Sequence, residues 1–181
     1  PDEEDWPPRS FFRTPHPLLA LVWRGELARA RELLDEVPET IKFGAHTDLW
    51  FFHEAWLLWA EGHLEEALTA AEAAVDHSRR TRFGWEPCFE VVVGVLQLAL
   101  GRVDDARMTL ADAISRSAAS GNRCYAEWGQ TFQGLAYLRI DRPEDAARVL
   151  RTATEAMRAA GRTLMLPFAA VYLAEAEARL G

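Results

Sequence analysis

Breaker residues recur along this chain at a fixed interval, and that interval restricts its folding more than any other feature. Gly25, Gly62, Gly101 and Gly181 each follow an apolar helical stretch, and Asp141 stands in the same context. The spacings are 37, 39, 40 and 40 residues. A second series, Gly44, Gly84, Gly121 and Gly161, falls between them at spacings of 40, 37 and 40. Two interleaved series with one period require a two-helix unit used four times, with a fifth beginning after Gly161.

The words around the first series agree. Gly25-Glu26-Leu27-Ala28-Arg29-Ala30, Gly62-His63-Leu64-Glu65-Glu66-Ala67, Gly101-Arg102-Val103-Asp104-Asp105-Ala106 and Asp141-Arg142-Pro143-Glu144-Asp145-Ala146 share one form. Each has a turn residue, an apolar residue or Pro two later, and Ala five later. Gly is what a helix end in the left-handed conformation asks for, and Asp tolerates it. Pro143 suits a first helical turn. Glu65, Glu66, Asp104, Asp105, Glu144 and Asp145 suit the positive ends of the second helices, and Arg79, Arg80, Arg116 and Arg158 the far ends. The first unit departs, with Ala28 and Arg29 in place of the acids.

Seven residues before each turn lies a small residue: Ala55, Gly94, Gly134 and Ala174, with Leu18 the exception. A small side chain there lets paired helices approach closely. Apolar stripes at helical spacing mark the second helices, Val103, Ala106, Leu110, Ala113 and Ile114 in one, Ala146, Val149, Leu150 and Ala153 in another. The pattern predicts an all-α chain of about nine helices, near 15–24, 26–37, 46–61, 63–80, 85–100, 102–119, 122–140, 142–160 and 164–180. The units fall near 15–44, 45–84, 85–121 and 122–161, with a partial unit at 162–181. Residues 1–14, with four acids and Pro7-Pro8, read as an acidic linker. Thr14 caps a helix beginning at Pro15, with Phe11 and Phe12 packed at its entry. The sequence opens without Met and closes on a turn residue, so it reads as a piece of a longer chain.

Small residue, turn, Ala five later and an apolar residue four beyond that (Leu34, Ala71, Leu110, Leu150) resemble the tetratricopeptide pattern over roughly residues 15–181. Two departures stand out. The aromatic usual four before the turn is present only as Tyr137, and the period exceeds the usual 34. The resemblance implies antiparallel helix pairs stacked as a right-handed TPR-like solenoid. Longer Ala- and Arg-rich arrays of this kind resemble the sensor arrays of large bacterial regulators of the LuxR/MalT type, above all at Leu166-Pro167-Phe168-Ala169-Ala170-Val171-Tyr172-Leu173-Ala174-Glu175-Ala176-Glu177. That likeness implies a ligand- or protein-sensing module of a cytoplasmic, multidomain transcription regulator. The alternative is a general protein-interaction scaffold in a signalling protein such as a nucleotide cyclase or kinase.

In such arrays residues three, six and ten before the turn tend to face the concave groove, and thirteen before it extends the row. Here that row contains Phe52, Trp56 and Trp59 in the second unit, with Trp128 and Phe168 further on. These five are the candidate contacts for a protein segment or small-molecule inducer, Trp being a frequent centre of binding energy. Packing between units is the competing use of the same residues.

Composition excludes several other uses. With 20 basic against 28 acidic residues and a net charge of −8, no phosphate-tracking face is expected, so direct nucleic-acid contact is not. No apolar run reaches the roughly 18 residues of a membrane span. No basic and apolar leader opens the chain. Two cysteines, Cys88 and Cys124, cannot build a disulfide framework and are read as small apolar fillers. No phosphate loop or nucleophile elbow occurs. His46 and His53 lie two turns apart beside Glu54 but show no metal-binding arrangement of known spacing. The chain is read as non-catalytic, with no cofactor and no metal.

Overall fold

The computed structural model describes residues 17–37, 42, 47–82 and 84–181. The expected linker 1–14, the cap at Thr14, the packing of Phe11 and Phe12, and Gly44, His16 and His46 lie outside the described residues. Among those described there are nine α-helices, packed as sequential antiparallel pairs: α1 (Pro17–Trp23), α2 (Leu27–Asp35), α3 (Thr47–Glu61), α4 (Leu64–Thr81), α5 (Glu86–Ala99), α6 (Val103–Ala119), α7 (Arg123–Arg139), α8 (Pro143–Ala159) and α9 (Leu166–Leu180). The bounds fall within two residues of those expected. The helices gather into two compact units, Pro1–Gly84 and Trp85–Gly181.

Each turn of the first breaker series is built the same way. The N–H of His63 donates to Leu58 O at 2.9 Å and that of Gly62 to Trp59 O at 3.1 Å. Arg102 and Gly101 bond to Gln97 O and Leu98 O in the same pattern, and Arg142 and Asp141 to Tyr137 O and Leu138 O. Glu26 and Gly25 do so with Leu21 O and Val22 O. This reverse-turn closure satisfies the last helical carbonyls and requires a left-handed residue at its corner. Asp141, at φ 57°, holds that corner without glycine. The residue after the corner then accepts the first bond of the next helix. Its donors are Ala30, Ala67, Ala106 and Ala146, all fully buried. The alanine five after the turn therefore lies where the second helix leaves the first, and a larger side chain would hold the two apart.

The small residues act where the paired helices come closest. A Cβ added to Gly94 would lie 2.6 Å from Leu110 Cγ, and one added to Gly134 would meet Leu150 closer still. Glycine is needed here for space, not for backbone freedom. In the first unit the same 16-residue spacing places Ala55 against the register of Ala71, both buried. Small partners replace the Gly–Leu pairing there. Leu18 and Leu34, in the same register, join one apolar cluster with Val22, Ala30, Val37 and Leu57.

Gly134→Ala is expected to cost about 1–3 kcal/mol through overpacking. Leu150→Ala should cost about 2–5 kcal/mol through the cavity it leaves. The double variant recreates the Ala–Ala pairing of the first unit and should lose less than the sum of the two. Urea unfolding of the three variants measures the coupling.

Candidate functional site

In α3 the sequence Trp50-Phe51-Phe52-His53-Glu54-Ala55-Trp56 carries apolar bulk around the whole helix. Its interior face includes Leu49, Phe52, His53, Ala55, Trp56 and Leu57. Trp56 sits between Trp23, at 5.7 Å between ring centroids, and Trp59, edge-on at 5.5 Å. His53 lies edge-on to Phe52 at 5.3 Å, and its Nδ1 donates to Leu49 O at 2.6 Å. A carbonyl only accepts, so that nitrogen carries a proton. The Arg31 guanidinium, from α2, pairs with Glu61 at the end of α3.

Phe52 and Trp56 are each 1% exposed, so neither presents a face to solvent. Trp59 is half-buried. In the second unit, Trp128 on α7 is buried and Phe168 on α9 is half-buried. The five candidate residues thus divide three and two between the units. Trp56 and Trp59 touch one another, and Trp128 lies tilted against Tyr125 at 5.3 Å, which in turn meets Trp85 edge-on at 6.4 Å.

Buried polar pairs tie the second unit together, and sequence reading did not pick them out. Glu90 on α5 accepts two bonds from Arg116 Nη1 on α6, at 2.8 and 2.7 Å. Glu127 on α7 accepts from Arg162 Nε at 2.6 Å, with a second bond from Nη2. The hydrogen bonds that Arg162 donates to Glu127 raise the Arg162 pKa against the opposing effect of burial. Asn122 stands one residue after Gly121, as Arg162 stands after Gly161. Its amide donates to Cys88 Sγ at 3.3 Å. Asn122 and Arg162 thus reach helices 34 and 35 residues earlier. The only sequence clue is the turn glycine itself.

The cysteines fit the role of apolar fillers. Burial pushes the Cys88 thiol well above its ordinary range, with Cys124 nearby adding to the shift. Burial raises Cys124 too, with Arg162 pulling the other way. Neither thiol supplies a ready thiolate at neutral pH. Among the described residues no three His, Cys, Asp or Glu side chains are grouped to hold a metal. No helix there is long and apolar enough to cross a membrane.

A surface depression of about 450 Å³ lies between α6 and α7, lined by Asp104, Arg107, Met108, Ala111, Gln133 and Tyr137. Met108 is 68% exposed. The Arg107 and Arg142 guanidinium carbons lie 5.6 and 5.4 Å from the centre of the Tyr137 ring. Arg107 also pairs with Asp104 at 3.2 Å, and Arg142 pairs with Asp145. The depression therefore sets Met108, Ala111 and the Tyr137 ring beside the Arg107–Asp104 pair, while Arg142, outside the lining, packs on the same ring. Tyr137 was visible in the sequence as the one aromatic four before a turn. Met108, one residue past Arg107 and outside the apolar stripe of α6, was not.

No protein-family model matches the sequence, and no curated protein sequence matches it either. Solved structures do resemble it in fold. A Podosopora anserina protein described as a kinesin light chain, with nearly identical TPR-like repeats, is similar at 17% identity and a TM-score of 0.63. The match covers 91% of this chain and 83% of that one. A variant of that protein gives a TM-score of 0.62 at 16% identity, with the same coverage. The apo form of RapI is similar at 15% identity and a TM-score of 0.65, over 94% of this chain. This chain spans 60% of the RapI chain. At these identities the likeness establishes a TPR-like fold.

Trp56→Ala is expected to cost about 3–5 kcal/mol, as for other buried aromatics, with a fall in Tm on thermal unfolding. Trp59→Ala should cost much less. Glu54 gives a pH-dependent test. Burial raises its carboxyl above the ordinary 4.5, opposed by Arg31 and Lys42 and reinforced by Asp35. An acid held protonated more tightly when folded loses native stability as pH rises through 4.5, its unfolded value, and on through the raised one. Glu54→Gln should therefore match the parent chain below that window and exceed its stability at about pH 7, measured by urea unfolding at both pH values.

Proposed function

We propose that this chain is a non-catalytic recognition module that takes a protein segment or a small inducer. The depression beside Tyr137 carries this reading. An exposed thioether and the Tyr137 ring, beside the Arg107–Asp104 pair, suit a segment with one apolar side chain and one polar group. Such aromatic and Arg-containing patches are where binding energy concentrates. Trp59 in the first unit and Phe168 in the second are the two accessible members of the aromatic row, and each is proposed to contribute contacts within its own unit. Phe52, Trp56 and Trp128 support from beneath.

The finer reading is a sensing module of a bacterial multidomain transcription regulator, working in the cytoplasm and leaving DNA contact to another part of its protein. The net charge of −8 supports that division of labour. Sensing requires that the ligand prefer one of two states of the assembly. The coding sequence on either side of this chain is the direct test. A nucleotide-binding switch domain and a DNA-binding helix pair would support it. A cyclase, kinase or membrane segment would overturn it in favour of a scaffold.

Binding itself is tested with peptides selected on the immobilised chain. Met108→Asp changes an exposed side chain and should alter stability by no more than about 0.5 kcal/mol. It should weaken the selected peptides about tenfold or more by calorimetry. Peptides indifferent to both Met108→Asp and Tyr137→Ala would place recognition elsewhere.

A further inference from the structure

The chain carries five sulfur atoms, in two cysteines and three methionines, and all five lie among the described residues. Packing shields four of them. Met157 and Met165 are each 1% exposed, and Cys88 is buried. Cys124 is half-buried, and burial pushes its thiol up, so the reactive thiolate is scarce at neutral pH. Met108, at 68% exposed, is open to solvent. A thioether needs no deprotonation before it meets an oxidant, so access decides among the three methionines.

The register of Met108 shows that its exposure is no accident of packing. Seven residues after each turn the second helices carry Glu32, Thr69, Met108 and Arg148, and all four are exposed. Three of those side chains are polar, as a solvent-facing position asks. The fourth is a thioether, and it lines the depression beside the Tyr137 ring. A polar group at this register therefore suits the fold. It would remove the soft apolar contact that methionine brings to a binding surface.

We propose that Met108 is an oxidation site for peroxides, and that its sulfoxide turns down recognition at the Tyr137 depression. The second half rests on the proposal that this depression binds a segment. A sulfur lone pair attacks one peroxide oxygen, forming the S–O bond as the O–O bond breaks. The proton on the transferred oxygen passes to the departing hydroxide, which leaves as water. Sulfur is oxidised by two electrons and the peroxide is reduced by two. The product is a polar side chain in place of an apolar one, and reductases return it to the thioether.

The test adds hydrogen peroxide to the whole chain and follows each site by peptide mass mapping. Met108 should gain one oxygen about tenfold faster than Met157 or Met165, with the circular dichroism unchanged. Equal rates at the three, or a cysteine oxidised first, would overturn the site. Peptides selected on the immobilised chain should bind the oxidised chain about tenfold more weakly by calorimetry. Methionine sulfoxide reductases, one for each epimer, should restore the affinity. Met108→Gln should bind as weakly as the oxidised chain, and peroxide should weaken it no further. A further loss in that variant would place the effect on another side chain and overturn the switch. Peptides weakened by Met108→Asp but indifferent to oxidation would also overturn the switch, and would leave the recognition reading standing. Peptides indifferent to both Met108→Asp and Tyr137→Ala would overturn that reading and the switch with it, while the mass map still decides the site.

Discussion

Close approach of paired helices is the constraint on which the structure depends. At Gly94 and Gly134 the facing leucine occupies the volume of a missing side chain. That contact fixes the separation of the two helices, and the left-handed corner seven residues later fixes their relative direction. The 16-residue step from seat to facing residue follows from those two facts. Where the seat gains a methyl group, as at Ala55, the residue sixteen later is Ala71, and both are buried. At Gly94 and Gly134 the space is filled from the facing helix, in keeping with the dense packing of protein interiors.

Charged contacts add a different force. Glu90 and Glu127 are nearly excluded from water yet carry arginine partners, Arg116 from the helix paired with α5 and Arg162 from the turn before α9. Such pairs add little net stability over apolar packing, but losing one partner strands a buried charge. Their directional bonds select one angle between helices, where alanine-rich surfaces alone would permit sliding. The aromatic contact of Tyr125 with Trp128 supplies bulk between those anchors.

The turns were legible in the sequence because the chemistry admits few alternatives there. Glycine takes a positive φ most readily and Asp141 tolerates it, with Arg82 the other non-glycine there among the described residues. The small seats were legible through their fixed distance from the turns. The aromatic row was not resolved, because Trp56 and Trp59 differ by three residues on one helix and only tertiary packing decides that one is sealed and the other half-open. The Tyr137 depression needed coordinates for the same reason. Arg107 and Arg142 are 35 residues apart, and their convergence on one ring depends on how α6, α7 and α8 meet. Glu90 and Glu127 looked like any solvated acid until their burial was known.

Contacts in the second unit run chiefly between helices one or two places apart in sequence. No distant ends have to meet before packing begins, so each ordering step closes a short loop and loses little chain entropy. Such local wiring favours fast folding and many routes to the same end. During synthesis, α5 and α6 can pair before α8 has left the ribosome. Each new helix then adds to a surface already formed, and the apolar alanine faces spend little time open to other chains.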